Sequence, residues 1–142
     1  MKAKPFLIGS AIFVVIIAAA SFYIGATIDK FDRTLVAVTS PDGKFKAIKV
    51  TVAGGGATPF CFDTISVLLA VYPDDSVDRR KEYEIYSAPC GRFANGEASP
   101  KIEWLSHAAL RIAYAPAPDA KPPRTKDIDV TKSVHVRFVA RE

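Results

Sequence analysis

A mainly β fold behind one N-terminal transmembrane helix is what this sequence predicts, and three observations predict it. Pro5 to Ile28 runs for 24 residues without an Asp, Glu, Lys, Arg or His. Apolar and polar residues alternate with period two in several stretches between residues 35 and 140. Ten prolines and eight glycines, with other turn residues, break that alternation at intervals too short for further helices. The expected architecture is a signal-anchor helix over 1–28 and an exported domain over 29–142, a small antiparallel sheet, meander or sandwich of about seven strands.

The anchor rests on length and flanks. A helix crosses the ~30 Å hydrocarbon core with about 20 residues, and Phe6 to Ile28 supplies 23. Lys2 and Lys4 precede the run, while Asp29, Lys30, Asp32 and Arg33 after it sum to zero. The positive side stays in the cytoplasm, so the span belongs in the inner membrane with its C-terminal domain in the periplasm. The competing reading is a signal peptide cleaved after Ala18-Ala19-Ala20. Against it, Ser21 to Ile28 would then form a greasy mature terminus. Splitting the chain after Ile28 also divides its charge: of a formal +4, two units lie before the run, and the remaining 114 residues hold 17 Lys and Arg against 15 Asp and Glu. The basic balance is therefore no argument for nucleic acid.

The body of the chain follows in order. Leu35–Thr39 and Phe45–Val52 are predicted strands joined by Ser40-Pro41-Asp42-Gly43-Lys44. Pro41 presets φ for a type I turn, and Gly43 takes the left-handed conformation that restores pairing, so a hairpin is expected. Ala53 to Pro59, with Gly54-Gly55-Gly56, reads as a connection, since it lacks the G-x-x-x-x-G-K-[ST] order of a phosphate cradle. Thr64 to Val71 alternates strongly and is a strand. Asp74, Asp75 and Asp78 are followed by Arg79, Arg80 and Lys81, a mixed-charge solvated loop without the spacing of a calcium-binding loop. Glu82–Ser87, Lys101–Leu105 and Leu110–Ala115 are further strands, the last two joined through Ser106 to Ala109. Ala115 to Lys126, with Pro116, Pro118, Pro122 and Pro123, is a stiff linker, and Val134 to Ala140 closes the set as a strand. Tyr83 and Tyr86 have opposite parity on a regular strand, so one of them is expected outside as a partner contact.

Cys61 and Cys90 both fall in the exported part, and no other Cys competes for them. An oxidising compartment makes a disulfide the economical expectation, which in a loop of about 30 residues contributes roughly 3–4 kcal/mol. Two independent thiols would be the alternative in a reducing one. No C-x-x-C or H-x-x-x-H spacing suggests a metal, and no cofactor motif is present.

Ser40 to Lys44 with Lys46 and Ala47, then Gly56-Ala57-Thr58, Thr64-Ile65-Ser66-Val67-Leu68 and Trp104-Leu105, resembles small bacterial envelope proteins of uncharacterised function. The turn itself is similar to the opening of a blade in TolB-type periplasmic propellers, although it occurs here once and roughly 100 residues cannot close a propeller. Relatives of the first kind commonly carry a Cys before the G-A-T, where this chain has Gly55. The resemblance implies an envelope location and a β fold, with no catalytic residue.

A hydrolytic set can be written from Ser66 or Ser106, His107 or His135, and Asp63, but none has a G-x-S-x-G context. The functional expectation is a non-catalytic, membrane-anchored periplasmic binding domain whose partner is another envelope protein. A narrower alternative is an immunity-type protein that neutralises a periplasm-acting toxin; a small hydrolase is the remaining one.

Overall fold

The Ser40 to Lys44 turn organises the first hairpin. In the computed structural model, which describes residues 31–56, 58–116 and 121–142, Gly43 has φ +73° and donates its N–H to the Ser40 carbonyl at 2.9 Å. The Ser40 hydroxyl donates to the Asp42 carboxylate at 2.7 Å and accepts the Phe45 N–H at 3.0 Å. That hydroxyl, with help from the Lys44 N–H, holds the Asp42 carboxyl below the usual carboxylate range. The closed turn pairs β1 (Asp32–Thr39) with β2 (Phe45–Gly54), antiparallel from Thr39 opposite Lys46 to Asp32 opposite Ala53. No atom lies within 4 Å of a Cβ placed on Gly43, so its backbone angle alone resists substitution. Gly43→Ala should cost about 1 kcal/mol in urea unfolding, and Gly43→Asn less, because Asn visits the left-handed region more readily. Equal losses would show that φ is not what the turn demands.

β3 (Phe60–Leu69) continues the sheet antiparallel to β2, and β4 (Glu84–Pro89) pairs antiparallel with β3. The short β9 (Arg124–Thr125) completes a five-stranded sheet in the order β1-β2-β3-β4-β9. After β4 the chain makes a two-stranded ribbon of β5 (Gly91–Arg92) and β6 (Ala98–Ser99). β7 (Lys101–Ser106) and β8 (Ala109–Tyr114) form the second expected hairpin, turning at His107 and Ala108. β10 (His135–Ala140) joins β8 to make a three-stranded sheet, β10-β8-β7.

Period two assigns each face of the small sheet. Ile102, Trp104, Leu110, Ile112, Val136 and Phe138 face the large sheet, where they meet Ala47, Ile65, Val67, Ile85 and Tyr86. Lys101, Glu103, His135 and Arg137 take the exposed alternate positions. Trp104 Nε1 donates across the layers to the Val38 carbonyl at 2.8 Å, which satisfies the indole as it is buried. A second cluster of Ile48, Val50, Leu68 and Val77 lies on the opposite face of the large sheet, beneath residues 70–83. There the buried Lys46 amine donates to the Tyr72 carbonyl and to Asp74, while Arg33 clasps Asp78 through two 2.7 Å bonds. The expected solvated loop is thus two short 3-10 turns, Asp74–Arg79 and Lys81–Tyr83, folded back over the sheet.

Three sequence-based expectations need correction. Among the described residues ten strands form instead of about seven, because β5, β6 and β9 are two-residue segments with too little sequence for an alternating pattern. β10 pairs with β8 in parallel, although short connections implied antiparallel pairing. The chain between them visits the far edge of the large sheet as β9 before returning, so a long excursion replaces the crossover helix that parallel pairing usually needs. β3 ends at Leu69, leaving Val71 exposed in the following turn. The anchor over 1–28 lies outside the described residues; among the described residues no helix is long and apolar enough to cross a membrane. Phe31–Glu142 is one compact unit.

Candidate binding groove

In β2, parity puts Lys49 and Thr51 on the same face as Ala47, and in β3 it puts Cys61 and Asp63 on the same face as Ile65. The small sheet covers the Ala47 and Ile65 end of this face. Toward the other end, the polar members of the same alternation line an open groove of about 500 Å³, bounded by the Cys61–Cys90 pair, Gly91, Arg92, Ala98 and Ser99. Neighbouring strands thus supply the floor and the β5–β6 ribbon a wall.

Cys61 and Cys90 stand at disulfide distance at the ends of β3 and β4, with Cα atoms 5.3 Å apart and the Cys90 N–H donating to the Cys61 carbonyl at 3.1 Å. From Cys90 the chain runs straight from β4 into the ribbon. The ribbon turn is closed by Gly96, at φ +82°, and by Asn95, whose side chain accepts the Glu97 N–H at 3.1 Å. Lys101 and Asn95 both donate to the Glu97 carboxylate and hold its pKa below the usual range. Arg92 Nη1 donates to the Gly96 carbonyl at 2.9 Å, and Ser99 Oγ accepts the Ala115 N–H at 2.8 Å. Both groove side chains are therefore oriented by backbone.

Asp63 is 3 % exposed and accepts the hydroxyl of its cross-strand neighbour Thr51. Burial, with help from the Asp63 charge, pushes the Tyr86 phenol up to about 12, so Tyr86 stays neutral. Among the described residues neither Lys49 nor Arg92 forms an ion pair, in contrast to Arg33, Lys46, Lys101 and Arg111. The groove thus presents two cations without acidic partners among the described residues beside one buried carboxylate.

The residues singled out from sequence distribute differently. Tyr86 is 3 % exposed in the inter-sheet core. Tyr83 is half-buried against the second cluster, with the Arg80 guanidinium 5.6 Å from its ring centre. Tyr86 therefore does not lie at the surface, and Tyr83 sits in a 3-10 turn where strand parity does not apply. Ser66 is buried, with an exposed Ser106 and His107 at the β7–β8 end and an exposed His135 at the start of β10. Among the described residues no hydrogen bond joins any of these to Asp63 or to one another. Asp74 and Asp78 are held by Lys46 and Arg33, and no cluster of metal-ligating side chains occurs among the described residues. Lys49, Thr51, Arg92 and Ser99 were not singled out from sequence. The signal for the first two was present in β2, where polar residues alternate with Ile48, Val50 and Val52.

Comparison of the chain with protein-family models, with curated proteins and with solved structures finds no match.

Proposed function

We propose that the chain is a membrane-anchored periplasmic interaction module that binds, without catalysis, an acidic segment of another envelope protein in the groove of Lys49, Thr51, Asp63, Arg92 and Ser99. The observation that carries this reading is the pair of groove cations, Lys49 and Arg92, which among the described residues have no acidic partner although they share the groove with the buried Asp63, whereas Arg33, Lys46, Lys101 and Arg111 are each ion-paired. Charge complementarity of this kind steers encounter and sets register more than it sets affinity. The buried Asp63 adds discrimination, since a ligand that places a carboxylate next to it meets repulsion. Anchoring is supported by the uncharged run Phe6 to Ile28 with its flanking Lys2 and Lys4, and export by the Cys61–Cys90 pair.

The test is affinity capture from detergent-solubilised membranes with the intact chain, beside a Lys49→Glu/Arg92→Glu variant. A partner held by the unaltered chain should be lost from the variant at unchanged melting temperature, with affinity falling by about tenfold or more. Equal capture by both chains would move the binding surface elsewhere. A partner that proves to be a secreted toxin, with cells protected by the intact chain, would narrow the reading to an immunity protein.

A further inference from the structure

One end of the large sheet carries an exposed aromatic surface. Phe31, Phe60 and Phe62 are 62 %, 44 % and 40 % exposed; the register places Phe60 and Phe62 on the face opposite the groove, and Phe31, just before β1, packs against Phe60. Phe31 and Phe60 tilt against each other with ring centres 5.7 Å apart. They do so over Gly54, where a Cβ would lie 2.8 Å from the Phe60 ring and 2.9 Å from Phe31. Residues 70–83 cover the remainder of this face but not its aromatic end. Clustered exposed rings of this kind mark a surface that is covered in use.

The chain itself indicates what covers them. Phe31 follows the last residue of the uncharged run, Ile28, by three positions. At 3.8 Å per Cα step, Phe31 lies within about 11 Å of Ile28 whatever the conformation between them. The polar interface on each side of the hydrocarbon is roughly 5–8 Å deep. If Phe6 to Ile28 spans the bilayer, the tether keeps Phe31 within reach of the headgroup layer, and Phe60 packs against Phe31. Aromatic side chains are favoured at that depth.

We propose that Phe31, Phe60 and Phe62 form a lipid-interface contact, seated in the headgroup and acyl boundary of the membrane that the N-terminal run crosses. This inference rests on the anchored reading above. It presents the groove, on the opposite face of the sheet, away from the lipid surface.

The experiment uses the intact chain in phosphatidylethanolamine and phosphatidylglycerol vesicles with acyl chains brominated near the headgroup. Phe60→Trp and Phe62→Trp act as two separate reporters, and Trp104 of the unaltered chain is the control. Each reporter should lose about half of its emission to the bromolipid, while Trp104 loses little. Unquenched reporters in a chain that resists alkaline extraction would overturn the contact and leave the anchor standing. Release of the chain by alkaline extraction would overturn the anchor and the contact with it. Reporter shielding that depends on protein density and not on bromination would assign the surface to a second copy, and overturn the proposal.

Discussion

Replacing both Cys61 and Cys90 by Ser is expected to lower unfolding free energy by roughly 3–4 kcal/mol, the chain-entropy value for a loop of about 30 residues. For a domain of this size the melting temperature should fall by more than about 10 °C. The local architecture argues against a smaller effect. Pro89 stands opposite Phe62 near the end of β4 and has no N–H to give the ladder, and β9 supports β4 only at Tyr86 and Ser87. Beyond that point the backbone bond from Cys90 to Cys61 is the remaining support of the β3–β4 pairing, and the crosslink clamps it. Because Arg92 follows two residues later, the same variant should lose groove binding by a larger factor than its folded fraction loses. Calorimetry of oxidised and reduced chains, with partner capture at a temperature where both are folded, checks both parts. Coincident melts would refute the stabilising role, and unchanged capture would detach the groove from the crosslink.

How much of this was legible depends on whether the deciding interactions are local. The β1–β2 hairpin was readable because Pro41 and Gly43 fix backbone angles wherever they occur, and Ser40 and Asp42 bond within their own turn. The alternation of Leu110, Ile112 and Val136 likewise gave strands and the buried face. The direction of β10 was not readable, since it depends on the β9 excursion to a strand some 40 residues earlier in the chain. Strand parity was not a guide at Tyr83 and Tyr86, for a related reason. A register shift opposite Ile65 and Ser66 lets consecutive residues Ile85 and Tyr86 both enter the core, which strict parity forbids. For the groove, parity gave the shared face of Lys49 and Thr51, but which end of that face stays open is decided by the small sheet and the β5–β6 ribbon.

The return of the chain into β10 depends on one carboxylate, and its removal gives the second large expected effect. Asp129 is 2 % exposed. Its Oδ1 accepts the N–H groups of Ser133 at 2.8 Å and Val134 at 2.7 Å, and its Oδ2 accepts the Thr131 N–H at 2.9 Å and the Thr131 hydroxyl. Backbone bonds from Asp129 to the Val134 carbonyl and from Lys132 to the Asp129 carbonyl close the same loop, with Lys132 held at φ 59°. Val134, fully buried, enters the inter-sheet core immediately afterwards. Asp129→Ala strands three backbone donors, one of them buried, and should cost about 3 kcal/mol or more. Asp129→Asn keeps one acceptor oxygen but turns an amide NH₂ toward the Thr131 donors or the Ser133 pair, so it should recover only part of the loss. Burial alone would raise the Asp129 pKa, but the Thr131 hydroxyl and the Val134, Thr131 and Ser133 N–H groups outweigh it and hold the pKa below the usual 3.8. A depressed folded-state pKa means that this stabilisation is complete above the ordinary carboxylate range and disappears as pH falls through the lowered value. Urea melts from pH 6 down to about 2 should therefore show the unaltered chain losing stability below pH 4 more steeply than Asp129→Asn, which has no proton to take up there. Parallel slopes would mean that Asp129 is not the acid-sensitive clasp of β10.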